Sequence, residues 1–327
     1  MPEPIRWGIL STARIGRSLI RGIGRSRENV VQAVASRDYS RALEWAKEHG
    51  IPRAFGSYDE MLGSGEIDAV YNPLPNSLHA EWTIRALEAG LPVLCEKPFT
   101  ATAEEARRVA EVAQRTKRLL AEAFMYRHHP LYKRVDELLA EKVIGELVAI
   151  NSTFTFRLER DNDIRRLASL AGGALMDVGC YCVNLSRKVA RCEPVRVHAF
   201  ERRTTVDDTL LGSLEFPNGI VAQFECSMES HARSYAEIIG TKGMIEIPAP
   251  WYPGEDRAQF ILRRDGTEET VWTEGADCFH LEVEDFSRAL RTRTPVRWPI
   301  EEAIANMAVI DALYASARDG VVVGLAQ

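Results

Sequence analysis

The chain has 327 residues, a net charge of −6, 46% hydrophobic residues and 27% charged residues, which are ordinary values for a globular protein. Its length predicts two domains, because single hydrophobic cores stop growing at shorter lengths. The negative charge, with arginines scattered among carboxylates, argues against a nucleic-acid partner. No apolar run predicts a membrane span, and the first ten residues lack a secretory segment, so we expect a cytoplasmic protein. The six cysteines show no zinc-type spacing, so we expect reduced thiols and no metal site.

The chain opens with a predicted strand, turn, helix and strand. Ile5–Leu10 is apolar, helical spacing of apolar residues follows Gly16, and Val30–Arg37 predicts the second strand. This order is typical of a dinucleotide-binding unit, in which the pyrophosphate meets the N-terminus of the first helix. Ser11 and Ala13 replace two of the three usual glycines, and only Gly16, expected to permit close packing of helix on strand, is kept. A strand-turn-helix without a nucleotide is therefore an alternative for this segment.

The end of the second strand selects the cofactor, because the adenosine ribose binds there. A carboxylate at this point accepts hydrogen bonds from a free 2′-hydroxyl and repels a 2′-phosphate. Here the position holds Ser36, followed by Arg37. A hydroxyl donor beside a fixed cation favours NADP over NAD.

Helices and strands continue to alternate as far as residue 123. Two capping boxes, Ser57-x-x-Glu60 and Thr102-x-x-Glu105, mark helix starts. Strands separated by helical crossovers predict an α/β fold with a Rossmann-like, doubly wound parallel sheet over residues 1–123. The further predicted helices are 40–49, 77–89 and 102–116, and the further predicted strands are 67–72, 92–95 and 118–123.

The pattern changes over residues 124–327, which we predict to form a substrate-binding and oligomerisation domain. A helix at 131–142 precedes a region, 147–272, of strands and turn signals, in which 206–216 and 220–227 predict an antiparallel pair. This indicates an α+β domain with an open, mainly antiparallel sheet. Its internal helix is 174–189, and a terminal helix at 299–317 is expected to pack back towards the first domain.

Two candidate sites follow predicted parallel strands, at the sheet edge where ligands bind in open α/β sheets. In Leu74–His79, the side chains of Asn76 and His79 are candidates to hydrogen-bond the cofactor, although Asn76 is equally explained as a helix cap. In Glu96-Lys97-Pro98, the proline restricts the backbone of Lys97 and holds its side chain over the sheet edge. The alternative is a solvated lysine in an ordinary turn. The sequence does not decide whether the peptide bond to Pro98 is cis.

A third candidate site is the segment Gly172-Gly-Ala-Leu-Met-Asp177-Val-Gly-Cys-Tyr181. Paired glycines introduce a helix on which Asp177 and Tyr181, four residues apart, share a face. A tyrosine has a reference pKa near 10 and needs a nearby cation to act as a base at neutral pH. Lys97 is the candidate cation. A helix that merely packs its apolar residues, with Tyr181 at the edge, is the alternative.

Together these motifs resemble the glucose-fructose oxidoreductase / inositol dehydrogenase / MocA superfamily. The tyrosine that ends the third motif places the chain nearest the branch of NADP-dependent D-xylose dehydrogenases and dimeric dihydrodiol dehydrogenases. The resemblance implies that Lys97, Tyr181 and Asp177 are catalytic, and that Arg127, His128, Asp177 and Tyr181 border the substrate. The resemblance also implies that Arg165 corresponds to an arginine that contacts the cofactor in relatives. In this chain Ile164 stands where those relatives have a tryptophan next to that arginine. The implied NADP-binding residues are Ser11, Thr12, Ala13, Arg14, Ile15, Ser36, Arg37, Leu74, Asn76, His79, Glu96, Lys97 and Arg165.

The activity implied is hydride transfer between NADP and the CH–OH group of a sugar or polyol, such as the aldose D-xylose, with Lys97 and Tyr181 handling the proton. Alternatives are a reductase of keto- or anhydro-sugars, a dihydrodiol dehydrogenase, or a non-catalytic NADP-binding regulator. Retention of Lys97, Asp177 and Tyr181 favours an enzyme. Relatives pair through the sheet of the second domain, so we expect a homodimer or homotetramer without membrane or nucleic-acid partners.

Overall fold

The structure is a computed structural model that describes residues 3–325. The chain forms two compact units. The first holds residues 3–125 together with Asp277–Ile304, and the second holds Tyr126–Ala276 together with residues 305–325. This division differs from the predicted domain limits in two respects: the boundary lies after residue 125 instead of 123, and the segment 277–304 belongs to the first unit.

The first unit is built on a six-stranded parallel sheet of order β3-β2-β1-β4-β5-β6. Its strands β4, β5 and β6 are buried along their whole length, as expected for a parallel sheet covered by helices on both faces. The strand order reverses direction between β1 and β4, the position at which ligands bind in open α/β sheets. The strands are β1 (Ile5–Leu10), β2 (Asn29–Ala35), β3 (Arg53–Phe55), β4 (Ala69–Asn72), β5 (Val93–Glu96) and β6 (Leu120–Ala123).

Helices α1 to α5 follow the strands of this unit, and α8 returns to it from the far end of the chain. Both predicted helix starts are confirmed, since Ser57 Oγ accepts from the Glu60 N–H at 3.5 Å and Thr102 Oγ1 from the Glu105 N–H at 3.2 Å. The Glu105 carboxylate accepts from the Ala101 N–H at 3.1 Å. Within residues 3–325 the α-helices are α1 (Gly16–Gly24), α2 (Tyr39–His49), α3 (Tyr58–Leu62), α4 (Asn76–Glu88), α5 (Ala103–Thr116), α6 (Pro130–Ala140), α7 (Cys180–Ala190), α8 (Cys278–Thr292) and α9 (Ile300–Asp319).

The second unit is built on a nine-stranded sheet of order β14-β13-β12-β11-β7-β10-β9-β8-β15. All neighbouring strands are antiparallel except β7 and β10, so the prediction of a mainly antiparallel sheet is confirmed. The predicted pair is β9 with β10. The strands are β7 (Leu147–Arg157), β8 (Arg196–Arg203), β9 (Asp207–Glu215), β10 (Val221–Ser227), β11 (Glu229–Gly240), β12 (Gly243–Ile247), β13 (Arg257–Arg264), β14 (Thr267–Glu274) and β15 (Val323–Gly324).

The internal helix of the second unit differs from the predicted one in its first turn. Leu175–Gly179 is π-helical, and α7 continues directly from it. The stretch Ala168–Ala190 reaches a mean hydropathy of 1.2 and is long enough to span a membrane, which the sequence analysis did not anticipate. However, 67% of its apolar window is buried within the protein. We therefore interpret it as the core helix of this unit.

Candidate active site

The turn between β1 and α1 replaces the usual glycines with a strained serine. Ser11 has a φ of 83°, in the region that favours glycine, and its Oγ accepts a hydrogen bond from the Ala13 N–H at 3.2 Å. Ile15, the N-cap residue of α1, makes no side-chain capping hydrogen bond, and the helix dipole favours an anion at this end. Thr12, Ala13 and Ile15 are half-buried and Arg14 is exposed in this turn. The turn therefore combines a glycine-like φ at Ser11 with a helix N-terminus that suits an anion.

The expectation that Gly16 permits close packing is wrong. A Cβ on Gly16 would lie 3.9 Å from its nearest neighbours, in ordinary contact. The tight position in α1 is Gly22, where a Cβ would lie 2.8 Å from the backbone nitrogen of His280 in α8. The close approach that requires glycine is therefore between two helices.

The end of β2 presents positive charge, as predicted from Ser36 and Arg37. Arg37 is exposed and hydrogen-bonds the Tyr58 phenol, and Arg41, in the first turn of α2, adds a second positive charge near that phenol. Burial raises the pKa of Tyr58, whereas these two arginines lower it. The nearby carboxylate of Asp38 is engaged as the N-cap of α2, accepting from the Ser40 N–H at 2.9 Å. These groups suit a ribose 2′-phosphate, and Arg41 is a residue that the sequence analysis missed.

The structure places the His79 ring of the Leu74–His79 segment inside the first unit. His79 is 1% exposed, with Nδ1 2.9 Å from the carbonyl oxygen of Pro98 and Nε2 2.7 Å from that of Leu74. Neither ring nitrogen is left for a cofactor, so His79 joins the loops that follow β4 and β5. Pro75 occupies the N-cap of α4, and Asn76 is the first residue of that helix.

The Glu96-Lys97-Pro98 segment is held from inside the protein. The Glu96 carboxylate accepts from the Tyr71 O–H at 2.5 Å and from the Lys97 N–H at 3.2 Å. The Lys97–Pro98 peptide bond is cis, and Lys97 itself is half-buried. Glu96 therefore fixes the backbone that presents the Lys97 side chain.

In the second unit, Tyr181 lies among aromatic rings. It is 4% exposed, and its ring centroid lies 5.5 Å from that of Phe154, 5.6 Å from Trp251 and 5.8 Å from Tyr126. Rings at these separations fix one another's orientation. Tyr126 in turn donates to Asn184 Oδ1 at 2.7 Å, so Asn184 is satisfied within this cluster. The sequence analysis missed Phe154 and Trp251, which no local pattern distinguishes from core residues.

Asp177 is paired with an arginine that the resemblance had assigned to the cofactor. Arg165 Nε lies 2.7 Å from Asp177 Oδ2, and its Nη1 lies 3.2 Å from the Asp163 carboxylate. Burial lowers the pKa of Arg165, but the carboxylates of Asp177 and Asp163 raise it by more, so the pKa lies above its ordinary value. Ile164, in place of the family tryptophan, is 50% exposed. The structure therefore makes Arg165 a partner of Asp177.

The two predicted substrate residues next to Tyr126 differ in accessibility. Arg127 is 2% exposed, whereas His128 is half-buried. Both belong to the short 3₁₀ helix Met125–His128. Of the two, His128 has the more accessible side chain for a substrate.

Two sequence models of one family match this chain. The model described as an oxidoreductase family with an NAD-binding Rossmann fold matches residues 5–124, and the model of the GFO/IDH/MocA C-terminal domain matches residues 132–246. The predicted Rossmann unit is thereby confirmed.

Two relatives and one solved structure are similar to this chain over most of its length. D-xylose 1-dehydrogenase (NADP(+)) 2 of Haloferax volcanii is 41% identical over 324 residues, covering 98% of this chain and 99% of the relative. Trans-1,2-dihydrobenzene-1,2-diol dehydrogenase of Sus scrofa is 34% identical over 286 residues, 83% of this chain and 84% of the relative. A 3-ketoreductase from Actinomadura kijaniata, solved with NADP and TDP-benzene, superposes with a TM-score of 0.91 at 30% identity, covering 96% of this chain and 98% of that one. That reductase was also solved as variants of one tyrosine and one lysine.

The motifs at Lys97 and Tyr181, the two sheets and these matches lead to one conclusion. Both units, with their different sheets, correspond to the two parts of a single known architecture. As the motifs predict, the protein belongs to the GFO/IDH/MocA oxidoreductase family.

Proposed function

We propose that the protein is an NADP-dependent oxidoreductase that acts on the CH–OH group of a sugar or related polyol, with an aldose such as D-xylose as the leading substrate. The observation that carries this proposal is the combination of a cationic β2 end with a retained lysine and tyrosine. Ser36, Arg37 and Arg41 suit the 2′-phosphate that distinguishes NADP from NAD. The similarity to an NADP-dependent D-xylose dehydrogenase supports both the cofactor and the substrate class.

The residues of the first unit fit a bound dinucleotide. A helix N-terminus without a side-chain cap, the glycine-like φ of Ser11 and the arginines after β2 match the pyrophosphate and phosphate groups in turn. When bound, NADP⁺ supplies the hydride acceptor. The protein's own contribution is to bind and orient the two reactants and to move a proton.

We assign that proton to Tyr181 and Lys97. A phenol with a reference pKa near 10 becomes a usable base near neutral pH when a cation stabilises its phenolate. Lys97 is the cation proposed for this task, and Tyr181 Oη is the proposed acceptor of the substrate hydroxyl proton. The lysine and tyrosine varied in the related 3-ketoreductase are separated along that chain by the same number of residues as Lys97 and Tyr181. We assign to Asp177, which is ion-paired with Arg165, the role of holding a substrate hydroxyl.

A second candidate function is the reduction of a keto-sugar. The similarity to a 3-ketoreductase at a TM-score of 0.91 favours it. In that direction Tyr181 donates the proton to the carbonyl oxygen instead of accepting it, and Lys97 stabilises the phenolate that remains. The two functions differ in substrate and direction and share their residues.

The deciding experiment is absorbance at the reduced-nicotinamide band with NADP⁺ and a panel of pentoses, hexoses and dihydrodiols, and then with NADPH and keto-sugars. Turnover in the first arm supports the dehydrogenase, and turnover only in the second supports the reductase. NADP binding without turnover in either arm would favour a regulator.

Variants on the best substrate test the residue roles. We expect Lys97→Met and Tyr181→Phe each to lower kcat by roughly 100-fold or more, and the double variant to be scarcely worse, because the two residues act as one unit. Lys47→Met, on an exposed face of α2, and Tyr252→Phe, at a tyrosine 57% exposed, are the matched controls. Near-normal kcat in both single variants would remove these assignments.

We further propose that the protein forms homodimers or homotetramers through the nine-stranded sheet. One face of β8 and β9 carries large exposed apolar residues, with Phe200 67% and Leu211 52% exposed and paired in register. Their neighbours Val197 and Leu214 are buried on the other face. Contiguous exposed apolar residues on a sheet favour a partner surface.

A further inference from the structure

Asp207 is a buried carboxylate for which the proposed mechanism has no use. It begins β9 and is 1% exposed. Its Oδ2 accepts from the backbone N–H of Leu175 at 2.7 Å, and its Oδ1 accepts from the Tyr314 O–H of α9 at 2.9 Å. Leu175 is the first residue of the π-helical turn. One side chain thus joins β9, α9 and the start of the helical segment that carries Asp177 and Tyr181.

The paired glycines of the third motif make room for this contact. Gly173 has a φ of +127°, and a Cβ there would lie 1.9 Å from Asp207 Oδ1. A Cβ on Gly172 would lie 2.3 Å from the carbonyl oxygen of Arg165, the residue paired with Asp177. Neither position admits a side chain without moving a neighbour. The two glycines therefore bring the chain against Asp207 and the Arg165 backbone.

The last residue of the π-helical turn, Gly179, also lies close against a strand. A Cβ on Gly179 would lie 2.7 Å from Cys226 Sγ of β10. The five-residue turn is thus fixed to β9 at Leu175 and to β10 at Gly179. A π-helical turn is rare and is often found at functional sites, so contacts that hold both of its ends are significant.

Burying this carboxylate is costly. Burial raises the pKa of Asp207 to about 6, although the Leu175 N–H, the Tyr314 O–H and the charge of Arg203 on β8 act in the opposite direction. The other titratable group that faces it is Cys226, whose thiol pKa burial and the Asp207 charge both raise. An apolar residue of similar size would avoid this desolvation cost. A fold-stability role alone is therefore a poor explanation for the carboxylate.

We propose that Asp207 is a positioning residue, which fixes the start of the π-helical turn and thereby the placement of Asp177 and Tyr181. The proposal rests on the assignment of those two residues to the proposed function. Leu175 lies two residues before Asp177 in the same turn, so a free Leu175 N–H allows the turn to rewind as α-helix and to shift both side chains. Small displacements of this kind are costly for reactions that depend on orientation.

The test compares Asp207→Ala and Asp207→Asn with Asp208→Ala. Asp208 is the adjacent residue, equally buried at 1% exposure, and its Oδ1 accepts from the Thr204 hydroxyl instead. Asparagine at 207 keeps an oxygen for the Leu175 N–H and turns its amide group to the Tyr314 oxygen. Four quantities are measured on each protein: kcat, the Kd for NADP, the unfolding midpoint and amide hydrogen exchange in the peptide that contains Leu175–Gly179.

In Asp207→Ala we expect kcat to fall about tenfold or more and exchange in that peptide to rise by a similar factor, with the Kd for NADP within about twofold of wild type. Asp207→Asn should recover kcat to within about threefold. Asp208→Ala should leave exchange in this peptide unchanged. A kcat in Asp207→Ala within about twofold of wild type, or an equal loss in Asp208→Ala, would overturn the proposal.

Failure of the proposed function gives a different pattern. If the wild type turns over no substrate, or if Lys97→Met and Tyr181→Phe retain activity, the catalytic assignment has failed. Hydrogen exchange then decides about Asp207 by itself, because it does not depend on turnover. Unchanged exchange at Leu175–Gly179 in Asp207→Ala would show that the carboxylate does not hold the turn.

Discussion

Protonation of His79 should make the first unit acid-sensitive, and His79→Gln should remove that sensitivity. The ring is 1% exposed, and burial lowers its pKa from 6.5 to about 4, with the charge of Lys97 adding to the effect and the carbonyl oxygens of Pro98 and Leu74 opposing it. Because the pKa is lowered in the folded state, the unfolded chain binds the proton first as the pH falls below about 6.5. Stability from this group is therefore present above that pH and is lost as the pH falls towards about 4.

The loss of stability on acidification follows from the difference between the folded and unfolded pKa of His79. One pKa unit corresponds to about 1.4 kcal/mol, so the complete change from 6.5 to about 4 corresponds to about 3 kcal/mol, of which about 2 kcal/mol falls between pH 7 and pH 5. Asp207 contributes with the opposite sign. Its folded-state pKa is raised to about 6, so its contribution to stability is lost as the pH rises through that value. This contribution is common to wild type and His79→Gln and cancels in their difference.

The assay is urea-induced unfolding at pH 7 and pH 5 for wild type, His79→Gln and His231→Gln. His231 is an exposed histidine on β11 and serves as the matched control. We expect acidification to cost wild type and the control about 2 kcal/mol more than it costs His79→Gln. Amide exchange in α4 and in the loop after β5 locates the loss. If all three proteins lose the same stability between pH 7 and pH 5, His79 does not titrate as the structure requires.

Three further predictions concern the cofactor turn, the cofactor choice and the sheet. Ser11→Gly should keep the free energy of unfolding within about 1 kcal/mol of wild type, because φ is already 83°, whereas Ser11→Val should lower it by about 2 kcal/mol. Thermal unfolding of both variants measures this difference, and equal stabilities would show that the backbone at Ser11 is not strained. Ser36→Asp should lower the ratio of kcat/KM with NADP to that with NAD by about tenfold or more, through repulsion of the 2′-phosphate; an unchanged ratio would refute the role of the β2 end. Phe200→Glu places a charge on the exposed sheet face and should lower the mass measured by light scattering at micromolar concentration; a wild type that is already monomeric would refute the pairing.

The sequence by itself determined the parts of the fold that depend on local signals. Strands that alternate with helices predicted the parallel sheet. The helix starts are recognisable because a cap such as Thr102 and the N–H that it binds lie three residues apart. The motif at Gly172–Tyr181 and the Ser36-Arg37 pair identified the family and favoured NADP for the same reason. The residues of each of these motifs lie within a few positions of one another, so the motif is recognisable from the sequence alone.

The tertiary structure decided which partners those residues have within the protein. His79, predicted as a cofactor-binding residue, has the carbonyl oxygen of Pro98, nineteen residues away, against its ring. Arg165, which the resemblance assigned to the cofactor, pairs with Asp177, and the glycine pair lies against Asp207 and the Arg165 backbone. Asp207 lies 32 residues from Leu175 and 107 from Tyr314, and no periodicity links such positions. Hydrogen bonds and desolvation act over a few ångströms, so the role of a polar side chain depends on neighbours that only the folded chain brings together.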